Sequence, residues 1–118
     1  MPGQARSPSA GVRNNYFAMI NIQFQKVMPR VPAEIKVNNQ DSDFYTIVEV
    51  TGEDRIGILY EITETLTDHG CDIHFARIST LGNRIIDVFY VQDTWGEKIE
   101  EKEKVERLKD TLLRRLAS

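Results

Sequence analysis

The feature that most constrains this chain is a change of hydrophobic period on either side of Gly57. Before it, Tyr45-Thr46-Ile47-Val48-Glu49-Val50 is β-branched and aromatic, the composition of a strand. After it, Leu59, Ile62 and Leu66 recur at helical spacing, with Ile58 and Thr65 beside them. Glu53-Asp54-Arg55-Ile56-Gly57 is therefore a strand-to-helix turn, where the first amide N–H groups have no intrahelical partner. Together with the positive end of the helix dipole, those donors form a seat for a carboxylate or a phosphate. This turn is the first candidate for a ligand site.

The rest of the chain divides into a tail, a linker and a domain. Residues 1–14 hold small, polar and turn-forming residues without a period and read as a disordered tail. Residues 15–32 read as an extra strand and linker. Tyr16, Ala18, Ile20, Ile22 and Phe24 alternate there with polar residues, and Pro29 and Pro32 follow. From residue 33 to 118 the signals are those of one domain. Ile35 and Val37 mark a short strand, Asn38 to Asp43 a polar turn, and Phe44 to Thr51 the next strand, so these two form a hairpin. A helix from about Ile56 to His69 follows, with Gly70 placed as its left-handed cap. Asp72 to Leu81 and Arg84 to Gln92 read as strands joined by the two-residue turn Gly82-Asn83. Asp93 to Gly96 is a turn, within which Trp95 is expected to pack locally. A last helix from about Lys98 to Leu116 carries Val105, Leu108, Leu112 and Leu116 on one stripe.

The order strand, strand, helix, strand, strand, helix predicts an α+β sandwich of ferredoxin-like type, with both helices on one face of an antiparallel sheet. The common version ends in a strand that lies beside the first; here the early strand at Ile35 to Val37 takes that slot, a permuted ββαββα arrangement. Ile85-Ile86-Asp87-Val88-Phe89-Tyr90-Val91 places apolar residues on both parities, so the second sheet face also needs cover. The Tyr16 to Phe24 segment or a second copy of the domain can supply it.

Charge and cysteine content exclude several classes. The 15 basic and 18 acidic residues give a net charge of −3, which opposes a general nucleic-acid or anionic-membrane surface. Phe75, Phe89 and Tyr90 supply the aromatics of an RNA-binding sheet, but the basic surface is missing. Cys71 is the only cysteine, so no internal disulfide forms and a cytoplasmic location is expected. No apolar run approaches the ~20 residues of a membrane span, and the N-terminus lacks the order of a secretory signal. His69, Cys71, Asp72 and His74 lie close in sequence, but a cap and a strand scatter such side chains, and neither metal nor cofactor is expected. Asp87, an acid among apolar neighbours, either faces solvent or pairs with Arg77 across the hairpin. The Glu100 to Lys104 run is a solvated helix face.

This order, with Asp54-Arg55-Ile56-Gly57-Ile58-Leu59 at the first strand-to-helix turn, resembles the ACT domain, a small amino-acid-sensing module. Family members usually carry Asp-Arg-Pro-Gly-Leu-Leu; here Ile56 replaces the proline and Ile58 a leucine, while the glycine is kept. More narrowly, three stretches are similar to the C-terminal ACT region of bacterial PII uridylyltransferase/uridylyl-removing enzymes. They are Tyr45 to Val50, His74-Phe75-Ala76-Arg77-Ile78-Ser79-Thr80, and Asp87-Val88-Phe89-Tyr90-Val91-Gln92-Asp93. The resemblance implies a regulatory module that binds a small amino acid, plausibly glutamine in nitrogen regulation, at the interface of a homodimer or larger homo-oligomer. No Gly-Ser pair with spaced aspartates and no His-Asp doublet is present, so the chain itself is not expected to be an enzyme. It reads as the sensor part of a larger enzyme or a stand-alone ACT protein. The alternative is a dimerisation or docking module that binds no ligand.

Two groups of residues are the expected site. In the loop, Gly57 either lets a ligand approach the backbone, held by the amides of Ile56 to Leu59, or only eases a tight turn. Asp54 either accepts a ligand ammonium group or caps the helix. Arg55 is a solvated or interface charge or a ligand contact. The resemblance adds Asp72, Ile73 and His74 of a neighbouring copy, whose extended backbone can meet an amino acid's amide side chain; otherwise they only pair within the sheet.

Overall fold

A computed structural model describes residues 31–117. The expected tail and the strand expected within Tyr16 to Val27 lie outside the described residues. In chain order the elements are β1 (Glu34–Asn38), β2 (Thr46–Glu53), α1 (Ile58–Asp68), β3 (Asp72–Arg77), β4 (Thr80–Leu81), β5 (Arg84–Gln92) and α2 (Lys102–Ala117).

The strands form one antiparallel sheet in the order β1-β2-β5-β3, with β4 also on β5. β1 pairs with β2 from Glu34↔Thr51 to Asn38↔Ile47 and so fills the edge slot that a C-terminal strand takes in the common arrangement. Alternation sorts the residues of the central strands. Val48 and Val50 of β2 and Ile85, Phe89 and Val91 of β5 face the helices and pack with Ile62 and Leu66 of α1 and Leu108 and Leu112 of α2. The fold is the α+β ferredoxin-like sandwich that the element order predicts.

The opposite sheet face is also apolar. Val88 is only 8% exposed yet stands apart from the helix-side core. Beside it, Tyr45, Phe75 and Tyr90 form edge-to-face pairs with centroids 5.6 to 6.4 Å apart, and His74 lies 5.4 Å from Tyr45. Edge-to-face geometry suits the quadrupoles of aromatic rings. Phe75 nevertheless remains 60% exposed among the described residues.

Three boundaries differ from expectation, one for a local backbone reason and two because of partners distant in sequence. α1 starts at Ile58 rather than Ile56 because Gly57 is its N-cap residue with φ +82°, a left-handed conformation outside the helix. α2 starts at Lys102 rather than Lys98 because the preceding residues are tied elsewhere. The Ile99 N–H donates to Thr46 Oγ1 (2.8 Å), and Lys98 Nζ donates to the carbonyls of Asn39 and Ser42. Thr46 is buried and in turn donates to Asn39 Oδ1 (2.6 Å), which locks the β1–β2 turn to the entry of α2. The expected strand Asp72 to Leu81 is broken into β3 and β4 at Ile78-Ser79, where the Ser79 N–H donates to the Asp87 carboxylate (3.1 Å). The cap at Gly70 is as expected. With φ +78°, its N–H donates to the Thr67 carbonyl and the Cys71 N–H to that of Leu66, a Schellman closure that buries Cys71 against the core. Trp95 departs from its expected local packing and is 85% exposed.

Candidate functional site

The turn after β2 is built around backbone donors. The Asp54 N–H donates to the Asn83 carbonyl (2.7 Å), pinning the turn to the β4–β5 hairpin. The Ile58 N–H donates to the Arg55 carbonyl (3.2 Å), and the Gly57 carbonyl accepts the first helical bond from the Glu61 N–H (3.0 Å). Among the described residues, the N–H groups of Ile56, Gly57, Leu59 and Tyr60 have no hydrogen-bond partner. No side chain caps the helix, so Asp54 does not act as its N-cap. A Cβ placed on Gly57 would meet nothing within 4 Å; the space above the turn is open. The free N–H groups, the dipole of α1 and this open space are what a carboxylate requires.

The side chains of the turn divide between surface and core. Asp54 is exposed, and Ile56 is fully exposed where the family pattern has proline. Ile58 is buried in the core and its N–H is already used, so it offers neither side chain nor donor to a ligand. Leu59 is partly exposed. Arg55 is engaged within the chain. Its guanidinium makes a bidentate pair with Glu61 (2.8 and 2.9 Å), and Nη2 also donates to the Arg115 carbonyl (3.1 Å). The Arg55 guanidinium accordingly holds the Glu61 carboxyl below the usual carboxylate range.

The second expected group lies elsewhere in the same chain. Asp72 is exposed and pairs with Gln92, Ile73 is half-buried against the core, and His74 sits in a bulge between Ile73 and Phe75 with its ring beside Tyr45. Glu53, which enters the turn, pairs with Arg84 at the other end of β5. Arg84 and Gln92 are eight residues apart (92 − 84), which is about 26 Å at ~3.3 Å per residue. One chain therefore does not bring the turn and Asp72–His74 together.

Asp87 was expected at the surface or on Arg77 and is neither. It shares the helix-side parity of Ile85 and Phe89, is 1% exposed, and is held by the Ser79 N–H. Burial, opposed by the Ser79 bond and assisted by the negative charge of Asp54, raises its carboxyl above the ordinary range. A raised folded value means that the folded state favours the neutral acid. The penalty is absent below the unfolded value of about 3.9 and grows as pH rises through the folded one. Asp87→Asn keeps an acceptor for Ser79 and removes the charge. It is expected to melt above wild type at pH 7 and with wild type near pH 3, as followed by thermal denaturation across that range. An unchanged difference at both pH values would contradict the burial of a charge here. The Glu61 and Glu64 shifts have the opposite sign, so their contribution is lost as pH falls.

Burial pushes the Cys71 thiol up to about 11, so it is not a nucleophile at neutral pH. Among the described residues no three His, Cys, Asp or Glu side chains gather as metal ligands, and no helix is long and apolar enough to cross a membrane.

The signal for the Arg55–Arg115 contacts is absent from local sequence, because their partners lie 60 residues apart. Arg115 also donates to Thr65 Oγ1 and to Glu64 Oε1 (2.9 Å each), and the Tyr60 hydroxyl donates to the second Glu64 oxygen.

The fold is a small ferredoxin-like sandwich with an open, glycine-capped helix start after a central strand, and comparison with known proteins gives its family. A model of the ACR9-like, ACT-like domain matches residues 34–118, so the chain belongs to the ACT-like domain family. Its relatives include bifunctional uridylyltransferase/uridylyl-removing enzymes. That of Rhodospirillum rubrum is 43% identical over 82 residues, covering 70% of this chain and 9% of the relative. That of Azospirillum brasilense is 41% identical over 87 residues, covering 74% and 9%. That of Bradyrhizobium sp. strain ORS 278 is 36% identical over 118 residues, covering 100% and 12%. The chain thus spans about a tenth of the length of these relatives. No solved structure matches the chain.

Proposed function

We propose that this ACT domain is the amino-acid-responsive regulatory part of a cytoplasmic uridylyltransferase/uridylyl-removing enzyme. It binds glutamine between the Gly57 turn of one copy and the start of β3 of a second. The observation that carries this reading is the set of unpartnered N–H groups at the start of α1, under open space at Gly57. They receive the ligand α-carboxylate, and exposed Asp54 receives its α-ammonium group. Asp72–His74 enter this reading through the family resemblance, and their separation from the turn within one chain supports their coming from a second copy. Among the described residues, β3 pairs only with β5, and its outer edge carries no strand. Two such edges meeting antiparallel about a twofold axis bring Asp72–His74 of one copy towards the turn of the other. Extended backbone there can donate to and accept from an amide side chain, a discrimination that apolar contact cannot supply.

Because the ligand contacts both copies, it favours the paired state and the same coupling free energy is felt by the attached activity. Isothermal titration of the chain with a panel of free amino acids tests the reading. Heat is expected with glutamine. No heat or thermal shift with any amino acid would leave a docking module instead.

A further inference from the structure

We propose that Arg55 is the positioning residue of this ligand site and couples it to the C-terminal turn of α2. The inference rests on the glutamine reading for its ligand arm only. Arg55 stands two residues before Gly57, and its own carbonyl accepts the Ile58 N–H, so its backbone is part of the turn that presents the free donors. Its side chain leaves that turn in two directions. Both terminal nitrogens take Glu61 in the first turn of α1, and Nη2 also takes the carbonyl of Arg115. α2 ends at Ala117, so the Arg115 carbonyl is among the four with no intrahelical partner, and Arg55 supplies one.

The contact is reciprocated. Arg115 reaches back across α1 to Thr65 and Glu64, which lie one helical turn beyond Glu61. Glu61, Glu64 and Thr65 thus form one stripe of α1 that holds the end of α2 through two arginines. The planar fork of Arg55 spans an acid and a carbonyl on different helices, a geometry that a lysine's single ammonium does not reproduce. The turn that presents the N–H groups and the last turn of α2 are therefore two ends of one connected set of bonds. If the held turn binds the ligand better, ligand binding must favour the held α2 terminus by the same factor.

Hydrogen exchange of the 118-residue chain, read at the amides of Leu113 to Ala117, tests this. Without ligand, Arg55→Gln is expected to speed exchange there several-fold while leaving the Val105 to Leu108 amides unchanged, and Arg55→Lys to restore protection only in part. With glutamine, wild type gains protection at Leu113 to Ala117, whereas Arg55→Gln gains none and binds about tenfold more weakly. Glu61→Gln provides a second variant, with the same direction and a smaller effect, if Arg55→Gln does not fold. Equal ligand-free exchange in wild type, Arg55→Gln and Glu61→Gln would overturn the coupling. Failure of glutamine to bind wild type would overturn the proposed function alone, because the ligand-free comparison still decides the role of Arg55.

Discussion

Phe89→Ala is expected to cost about 3–5 kcal/mol, the range for truncating a buried aromatic ring. Phe89 has no exposed surface, is the largest of the fully buried side chains and sits at the centre of the sheet, opposite Val48 on one side and Ala76 on the other. The ring lies on the helix side, where α1 and α2 meet the central strands, and so joins both layers. Total stabilities of domains lie at about 5–15 kcal/mol, so the loss is a large part of the whole. In urea denaturation the midpoint should fall steeply with little change in slope. A loss below about 1 kcal/mol would mean that the site closes around the smaller side chain, contrary to a core built on this residue.

Gly57→Ala is expected to weaken glutamine binding tenfold or more, about 1.4 kcal/mol, in addition to a folding cost. Its φ of +82° forces an L side chain into the left-handed region, at about 1–2 kcal/mol. Each kcal/mol corresponds to roughly 4–8 °C in Tm for a domain of this size. The new methyl meets no protein atom within 4 Å, so the folding cost is conformational, while the methyl enters the space through which the ligand carboxylate approaches. Gly70→Ala is the control. Gly70 has a similar φ of +78° and open space, but it lies at the opposite end of α1. The two variants should melt alike in the absence of ligand, and calorimetry should show reduced affinity only for Gly57→Ala. Equal affinities would remove the turn from the site.

Much of this was legible from residue order. β2, β5 and both helices follow from period, Gly82-Asn83 marks the hairpin, and Gly70 marks the end of α1. The permuted edge strand followed from connectivity alone. What local sequence did not reveal depends on partners far along the chain. Lys98 and Ile99 have nothing that forbids a helix; Thr46 and Asn39, more than 50 residues earlier, hold them out of it. The break at Ser79 arises from a carboxylate on the neighbouring strand. Asp87 carried a usable signal, since its parity with Ile85, Phe89 and Val91 places it on the core side despite its charge. Within the candidate site, the turn and its glycine were visible as a motif. The engagement of Arg55 with Arg115 was not, because only the packing of α2 against α1 creates it.

Sedimentation velocity, at a protein concentration where the chain is mostly monomeric, tests most directly whether the site is shared between copies. A ligand held by two copies stabilises the pair by mass action. At 100 times its dissociation constant, glutamine should tighten association by about 100-fold for each site. The predicted result is a shift from the monomer to the dimer boundary on adding glutamine, lost in Gly57→Ala. Glutamine that binds with measurable heat yet leaves the sedimentation profile unchanged would contradict a site built from two chains.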